Sequence, residues 1–374
     1  LVRFIKEIEN MISIIITYYT GLNILCSNLS LLLQTNLSDV EIIIVNDNPK
    51  ASLTLEMLPT LDTVPMRILT MPSNGGYAAA CNYGVENANG ELLIFMDSDI
   101  LVGPNWLAPL LNAYYATDNC GAVSTTILNL NQKQVVHWGL GMNEGYEVVK
   151  PFRDGYLPKS LQHGTYEFNM ASSGCILIPK DVFQEVGRFD EQFYNGFCDL
   201  DLTYRITQNS YKCVYCSEAV VYHRGKVSGT TRLAAEDDTR ALFIKKWKNA
   251  LPNDGMQILP HLYKANINFN PMNSYVLVNF SRSLLAKEYH LLLLSCLKAS
   301  MTDYYEFKNQ ASPYITLEDF LPWGLCGLNI AIIYFSDNIT TITNNQHWFA
   351  HRVGKGDIIV DRNGNLFLTD NLII

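Results

Sequence analysis

The sequence predicts an α/β fold in which a mixed, mainly parallel sheet is flanked by helices. Short aliphatic and β-branched runs at 12–17, 41–45 and 91–96 are typical of strands that are buried on both faces. Helical spacing at 22–33 and an alanine-rich segment at 75–88 separate these runs. A repeated order of strand, helix and strand builds a parallel sheet with crossover helices, so all three observations indicate the same fold class.

The length of the chain predicts more than one domain. With 374 residues, it exceeds one ordinary compact core. A cluster of breakers at 252–255 marks the boundary that we expect between a catalytic domain over residues 11–250 and a smaller α+β domain over 255–374. Residues 1–10 contain no secretory signal, so we expect them to be an extension and Met11 to be the natural start.

Charge and cysteine content exclude two classes of protein. The net charge of -9 argues against a protein that grips a nucleic-acid backbone, so we expect no nucleic-acid partner. The nine cysteines lack the dense spacing of a secreted disulfide scaffold, which predicts a reducing, cytoplasmic location. Cys213 and Cys216 form one Cys-x-x-Cys pair without a second, and we interpret both as structural residues rather than zinc ligands.

Polar residues follow the predicted strands at one edge of the sheet. Asp47 follows the second strand, Asn74 follows a third strand at 66–71, and Asp97 and Asp99 follow the fourth. In such sheets, ligands bind beyond the carboxyl ends of the strands. An isolated Asp-x-Asp also suits a solvated turn, but two carboxylates directly after a strand favour a hard divalent cation with phosphate oxygens. We therefore predict a Mg²⁺ or Mn²⁺ site that holds a diphosphate.

A second acidic pair begins a predicted helix. If Asp199 or Asp201 faces the pocket, it can remove the proton of an attacking hydroxyl, while the other orients or caps the helix. Helix capping alone also selects acids at such positions, so both interpretations stay open. His223 ends a later strand and is a candidate third metal contact. The basic loop with Arg224 and Lys226 is either a phosphate clamp or a solvated turn.

Eight short pieces of sequence follow one another between residues 11 and 249. From the amino end they are Ser13-Ile-Ile-Ile-Thr-Tyr-Tyr, Val45-Asn-Asp-Asn, Asn74-Gly-Gly-Tyr-Ala-Ala-Ala-Cys-Asn82, Phe95-Met-Asp-Ser-Asp99, Ser173-Gly-Cys-Ile-Leu-Ile-Pro, Gly187-Arg-Phe-Asp-Glu, Asp199-Leu-Asp-Leu and Val221-Tyr-His-Arg-Gly. In this order and at these distances, they resemble the family 2 glycosyltransferases of the GT-A fold. The resemblance covers roughly two-thirds of the chain.

The resemblance implies a Rossmann-like GT-A domain that transfers a hexosyl or related sugar with inversion of the anomeric carbon. The implied donor is a nucleotide diphosphate sugar, either a UDP-sugar or a dTDP-sugar. The implied acceptor is a hydroxyl of a saccharide or of a lipid-linked saccharide. Bacterial surface polysaccharide synthesis is the common setting of the family, and it enters here as an analogy only.

The resemblance also implies roles for single residues. Asp97, Asp99 and His223 would contact the divalent cation, with Asp99 as the direct ligand, and Asp199 falls at the catalytic base, a role that Asp201 can share. Together with the basic loop, the candidate donor-binding residues are Thr17, Tyr19, Asp47, Asn74, Gly75, Tyr77, Asn82, Asp97, Ser98, Ser173, Gly174, Arg224 and Lys226. The chain departs from the family at two positions: Asn46 replaces a frequent Asp, and Cys198 replaces the Glu that usually precedes the base.

Other functions compete with a transferase. A nucleotidyltransferase normally has a glycine-rich basic loop after the first strand, and residues 18–21 lack one. A hydride-transfer enzyme requires Gly-x-Gly-x-x-Gly at the same place, which is also missing. A retired GT-A domain that acts as a carbohydrate-binding or regulatory protein is a different class of answer. The intact Asp97, Asp99 and Asp199 favour an active enzyme over it.

Residues 255–374 contain no motif that assigns a role to them. Just before them, a small basic aromatic patch consists of Lys245, Lys246, Trp247 and Lys248. Such a patch is consistent with peripheral association at the inner face of the cell membrane, and also with an ordinary solvated helix end.

Overall fold

The computed structural model describes most of the amino-terminal two-thirds of the chain and several later segments. The described residues are 11–130, 134–142, 146, 148–150, 157, 161–224, 230–252, 254, 275–279, 331–335, 349–350, 352–361 and 365–371. The chain divides into two compact units, one made of Leu1–Leu140 with Gln162–Ala250 and the other of Gly141–Leu161 with Leu251–Ile374. Residues 141–161 therefore interrupt the first unit in sequence and belong to the second.

The described part of the chain contains both strands and helices. The strands are β1 (Ile12–Tyr18), β2 (Val40–Asn46), β3 (Met66–Thr70), β4 (Leu92–Asp97), β5 (Ile100–Val102), β6 (Cys120–Asn129), β7 (Val135–His137), β8 (Gly141–Met142), β9 (Val148–Val149), β10 (Thr165–Glu167), β11 (Cys175–Pro179), β12 (Lys212–His223), β13 (Tyr275–Asn279), β14 (Ala331–Phe335), β15 (Ile358–Val360) and β16 (Leu366–Leu368). The helices are α1 (Leu22–Leu32), α2 (Gly76–Glu86), α3 (Leu107–Ala116), α4 (Lys180–Glu185), α5 (Cys198–Gln208) and α6 (Thr230–Trp247). Within the described ranges, no helix has both the length and the apolar composition that crossing a membrane requires.

The centre of the first sheet is parallel, which confirms the fold class predicted from the sequence. β4, β1, β2 and β3 are neighbours in that order, and each pair is parallel. Ile14 of β1 lies opposite Ile42 of β2 and Ile94 of β4, and all three side chains are fully buried. Helices cover such a sheet on both faces, and the burial of these aliphatic side chains stabilises it. The carboxyl ends of these strands lie at one edge.

Antiparallel pairing extends the sheet beyond β4. β11 pairs antiparallel with both β4 and β6, and β12 runs parallel to β6. Cys175, the first residue of β11, lies opposite Met96 of β4. Because the two strands run in opposite directions, the residues that precede β11 lie beside the residues that end β4. The segment before β11 therefore reaches the same edge as Asp97.

The Cys-x-x-Cys pair lies within β12. Cys213 and Cys216 are both buried and both reduced. Burial raises the pKa of each thiol, so neither is a ready thiolate. A spacing of three along a strand places the two side chains on opposite faces, where they cannot bind one ion together. This agrees with the structural interpretation of the pair.

A buried carboxylate ties the amino ends of the strands together. Glu41 of β2 accepts hydrogen bonds from Ser13 Oγ at 2.7 Å, from the Asn89 backbone N–H at 2.6 Å and from Arg67 Nη2 at 2.7 Å. Burial alone raises the pKa of Glu41, but these hydrogen bonds and the Arg67 charge outweigh burial and lower it below the ordinary value of 4.5. Since its pKa is lower in the folded chain than in the unfolded chain, Glu41 stabilises the fold most when it is ionised.

We expect Glu41→Gln to lower the free energy of unfolding at pH 7 by about 2 kcal/mol, because buried donors lose a charged acceptor. The Glu41 contribution is fully present above pH 4.5, the ordinary value, and is lost as the pH falls through the lowered folded-state pKa. Urea unfolding at several pH values measures both effects. Glu86→Gln is the control, because its carboxylate pairs with Arg188 at an exposed site. Equal losses in the two variants would contradict the assignment.

The second unit contains a four-stranded sheet with the order β13, β14, β15 and β16. The first three strands are parallel, and β16 pairs antiparallel with β15. A fully buried ion pair joins Arg352 to Asp357 at 2.7 Å, and Tyr334 donates its hydroxyl proton to the same carboxylate. In the same unit, Met142 donates its backbone N–H to Asp254 Oδ1 at 2.7 Å. Residue 254 thus fastens β8, although the two are far apart in sequence.

Candidate active site

The carboxyl edge of the first sheet brings Asp99 and His223 into contact. His223 Nε2 lies 3.2 Å from Asp99 Oδ2, and the Arg224 backbone N–H donates to the Asp99 carbonyl oxygen at 3.2 Å. This contact follows from the antiparallel pairing of β5 with β12, in which Ile100 lies opposite His223. Asp97 ends β4 two residues earlier in the chain. Three residues that the sequence proposes as metal contacts therefore lie at the same edge.

These side chains fit a cation that keeps part of its shell for a ligand. Among the described residues, His, Cys, Asp and Glu form no group of three or more that is arranged to hold a metal ion. Mg²⁺ and similar hard ions are commonly held by one or two carboxylates together with water and substrate phosphates. Asp97 and Asp99 supply such carboxylates, and the His223 imidazole lies 3.2 Å from the Asp99 carboxylate. The donor set suits a phosphate-bound ion better than a closed structural metal site.

The segment before β11 connects Asp97 to Asp199. The Asp97 backbone N–H donates to the Gly174 carbonyl oxygen at 3.0 Å, and the Ser173 N–H donates to Asp199 Oδ2 at 3.2 Å. The Tyr77 hydroxyl donates to the Ser173 carbonyl oxygen at 3.2 Å, and burial raises the Tyr77 pKa well above its ordinary value, so it stays a donor. The dipeptide Ser173-Gly174 thus contacts the backbone of Asp97, in the predicted metal site, and the carboxylate of Asp199, the predicted base.

Asp201 does not belong to this group. It is fully buried, and its Oδ2 accepts from Arg205 Nε at 2.9 Å. Its Oδ1 accepts from Trp247 Nε1 at 2.8 Å and lies 2.8 Å from Lys246 Nζ. Residues two apart in a helix point in different directions, so Asp199 faces Ser173 while Asp201 fastens α6 to α5. In contrast to the expectation that Asp201 shares the role of the base, the structure engages it in an internal ion-pair network.

The same network changes the interpretation of the basic aromatic patch. The Trp247 ring packs edge-on against Tyr204 with a centroid distance of 4.9 Å, and its N–H is bound by Asp201. Lys246 pairs with Asp190 as well as with Asp201. The indole and one of the three lysines therefore make contacts inside the unit, which agrees with the alternative of an ordinary helix end.

Asp47 shapes the turn that begins α2. Its Oδ1 accepts from the Gly75 N–H at 2.7 Å and its Oδ2 from the Gly76 N–H at 2.9 Å. Burial raises the pKa of Asp47, and the two backbone hydrogen bonds oppose that rise. Gly76 has a φ of +80°, and a Cβ at this position would lie 2.3 Å from the Tyr194 carbonyl oxygen. Glycine is therefore required there by both the backbone angle and the close approach.

Tyr194 lies at this turn, although it belongs to none of the eight sequence motifs. Its side chain is hydrogen-bonded to Asn74 and is 38% exposed. Burial first, and then the nearby Asp47 carboxylate and Tyr19 phenol, raise the pKa of Tyr194. Tyr19 is itself 51% exposed. The structure thus adds a second accessible tyrosine to the predicted nucleotide residues. In the sequence, the feature that could have indicated Tyr194 is its position as an aromatic residue between two of the eight motifs, which end at residue 191 and begin at residue 199.

Not all of the remaining predicted residues lie at the carboxyl edge of the first sheet. Thr17, a partly buried residue near the carboxyl end of β1, lies opposite both Val45 and Asp97. Asn82 points elsewhere, because its amide donates to the Phe189 carbonyl oxygen at 3.0 Å and accepts from the Phe189 N–H at 3.2 Å. The structure therefore does not bring Asn82 to the Asp97 group. Lys226 lies outside the described residues.

Comparison with known proteins agrees with these observations. Residues 13–187 match the family model of glycosyl transferase family 2. The O-antigen biosynthesis protein RfbC of Myxococcus xanthus is 26% identical over 215 residues, which cover 56% of this chain and 17% of that protein. An uncharacterized glycosyltransferase of Rickettsia typhi is 26% identical over 243 residues, which cover 63% of this chain and 72% of that protein. The matched region is thus a small part of the first relative and most of the second.

A solved structure gives the same result for the fold. The crystal structure of GalNAc-T7 with UDP, GalNAc and Mn²⁺ aligns with 68% of this chain and 51% of that chain, with a TM-score of 0.52 and 16% identity. An identity this low supports the fold rather than a shared substrate. The parallel sheet, the motif residues at its carboxyl edge and the family match agree with one another: residues 13–187 are similar to glycosyl transferase family 2, and the chain has a GT-A fold.

Proposed function

We propose that this glycosyltransferase moves a sugar from a nucleotide diphosphate to an acceptor hydroxyl, with inversion of the anomeric carbon and with a divalent cation bound. The observation that carries the proposal is the dipeptide Ser173-Gly174, which is hydrogen-bonded to the backbone N–H of Asp97 and to the carboxylate of Asp199. Donor and acceptor must meet between a leaving-group stabiliser and a base, and these two carboxylates are suited to those roles.

On the donor side, Asp97, Asp99 and His223 would hold the cation. A Mn²⁺ or Mg²⁺ ion there would neutralise the charge that develops on the leaving diphosphate. Mn²⁺ is favoured because the aligned GalNAc-T7 structure contains Mn²⁺ with UDP. The 3.2 Å between His223 Nε2 and Asp99 Oδ2 is close enough for one cation to contact both side chains.

On the acceptor side, Asp199 is the base. Its carboxylate takes the proton of the acceptor hydroxyl while the hydroxyl oxygen bonds to the anomeric carbon and the bond from that carbon to the diphosphate oxygen breaks. A single displacement of this kind needs one carboxylate, in agreement with the engagement of Asp201 elsewhere. The Ser173 N–H steadies one oxygen of Asp199.

The nucleotide would occupy the turn at the start of α2. Asp47 holds Gly75 and Gly76 in place, and Tyr19 and Tyr194 offer exposed rings beside it. Aromatic faces of this kind stack on nucleobases. A UDP-sugar is the favoured donor because UDP occupies the aligned GalNAc-T7 structure, with a dTDP-sugar as the alternative. The similarity to RfbC favours a saccharide or lipid-linked saccharide acceptor in surface polysaccharide synthesis.

Thermal unfolding with a panel of nucleotide diphosphates, each with and without Mn²⁺, tests the donor site. A ligand at 100 times its Kd stabilises the folded state by about 2.7 kcal/mol. We expect UDP with Mn²⁺ to raise the melting temperature and ADP with Mn²⁺ to raise it much less. A turnover assay with the corresponding UDP-sugars then separates an active enzyme from a retired domain. Full turnover in the presence of excess EDTA would refute the metal-dependent mechanism.

A further inference from the structure

Helix α1 buries one polar residue on an otherwise apolar face. Leu25, Leu29 and Leu32 pack into the core, and Asn28 lies among them with no exposed surface. A buried amide lowers stability unless its donors and acceptors are matched. A leucine at position 28 would continue the apolar face, so packing does not explain the amide.

The contacts of Asn28 are with the chain that carries the two carboxylates of the cation site. Its Nδ2 lies 3.5 Å from the carbonyl oxygens of both Asp97 and Ser98, and 3.8 Å from Met96 Sδ. These are long hydrogen bonds, but their direction is set by chemistry. The reverse orientation of the amide would turn its oxygen toward three atoms that also carry lone pairs. The amide nitrogen is therefore the group that faces this turn.

The other end of the same amide has no comparable role. Across the described part of the chain, no group donates a hydrogen bond to Asn28 Oδ1. A buried carbonyl oxygen without a donor destabilises the folded state. The side chain thus costs stability at Oδ1 while it braces the peptides of Asp97 and Ser98 through Nδ2. A buried polar residue that lowers stability and lies beside a functional group typically has a role in the site rather than in the fold.

We propose that Asn28 is a positioning residue, whose amide holds the backbone at Asp97 and Ser98 and so directs the Asp97 and Asp99 carboxylates toward the cation. This inference rests on the proposed function, because it requires that these carboxylates bind a divalent ion. Asn28 does not touch the ion or the substrate. It acts through the carbonyl groups of the turn, as the outer partners of metal ligands do.

The test uses Asn28→Leu, with Asn23→Leu as the matched control on an exposed position of the same helix. Binding of Mn²⁺ alone is measured by electron paramagnetic resonance of the free ion, and stability by calorimetry without metal. We expect Asn28→Leu to bind Mn²⁺ about tenfold more weakly and to melt about 2–4 °C higher, because the unpaired amide oxygen is gone. Asn23→Leu keeps the wild-type affinity. Asn28→Ala, which removes the amide without added bulk, also weakens Mn²⁺ binding.

The outcomes separate this inference from the function on which it rests. Wild-type Mn²⁺ affinity in both Asn28→Leu and Asn28→Ala would overturn the positioning role. A purely structural role would lower the melting temperature of Asn28→Leu and leave its Mn²⁺ affinity unchanged, and that result would also overturn it. If the wild-type chain binds no Mn²⁺, the proposed cation site fails and the positioning role fails with it.

Discussion

Asp99→Asn is expected to reduce kcat by about a thousandfold, because a metal clamp on a leaving diphosphate contributes several kcal/mol to the transition state. Asparagine keeps the size of the side chain and an oxygen that can accept from His223, so the fold is expected to survive the change. The loss should therefore be one of charge at the cation site. Steady-state release of the nucleotide diphosphate over a range of Mn²⁺ concentrations measures it.

A control shows whether this loss is specific. Asp118→Asn makes the same chemical change at an exposed residue that precedes β6, and it should leave kcat unchanged. The Mn²⁺-dependent rise in melting temperature with UDP should also disappear in Asp99→Asn and remain in Asp118→Asn. A kcat within threefold of the wild type in Asp99→Asn, as an order-of-magnitude threshold, would exclude Asp99 as the metal ligand.

Asp199→Asn should lower kcat by roughly a hundredfold to ten-thousandfold, the usual contribution of a general base. The asparagine oxygen can still accept the Ser173 N–H, so the melting temperature and the binding of the donor should stay close to those of the wild type. Turnover and UDP binding, measured on the same preparation, distinguish this loss of chemistry from a loss of substrate.

Asp201→Asn provides the matched contrast only two residues away. This change removes a buried charge that faces both Arg205 and Lys246, and breaking such a pair costs about 3 kcal/mol of stability. We expect a clearly lower melting temperature, with kcat of the folded protein reduced by no more than about twofold. If Asp201→Asn instead kept its melting temperature and lost turnover as Asp199→Asn does, the two assignments would have to be exchanged.

The sequence predicts the parallel centre of the sheet well, for a physical reason. The runs at 12–17 and 41–45 become β1 and β2 with ends that differ by at most one residue, since strands buried on both faces have nearly continuous apolar sequences. β5 and β7 have three residues each and no such signal. Short strands of this kind are defined by their neighbours in the sheet, which a local pattern does not contain.

The residues of the candidate site could be proposed from the sequence, but the hydrogen bonds that join them could not. The position of Asp97 and Asp99 after a strand proposed them as metal contacts, whereas the start of a helix left Asp199 and Asp201 open as the base until the family resemblance favoured Asp199. The link through Ser173 depends on β11 lying antiparallel beside β4, and nothing local to either strand indicates that pairing. Likewise, Asp201 is separated from its partner Trp247 by 46 residues, so its burial could not be foreseen from the helix alone.

Residues 141–161 belong to the second unit although they lie between two parts of the first, and this limits how the protein can be divided or recombined. The chain passes between the two units at three points, after residues 140, 161 and 250. A cut at residue 250 would leave Met142 in the amino-terminal product and remove Asp254, to which it is hydrogen-bonded. Exchange of the first unit between proteins as a module would therefore require three breakpoints in the chain. A simple tandem arrangement of two domains requires one.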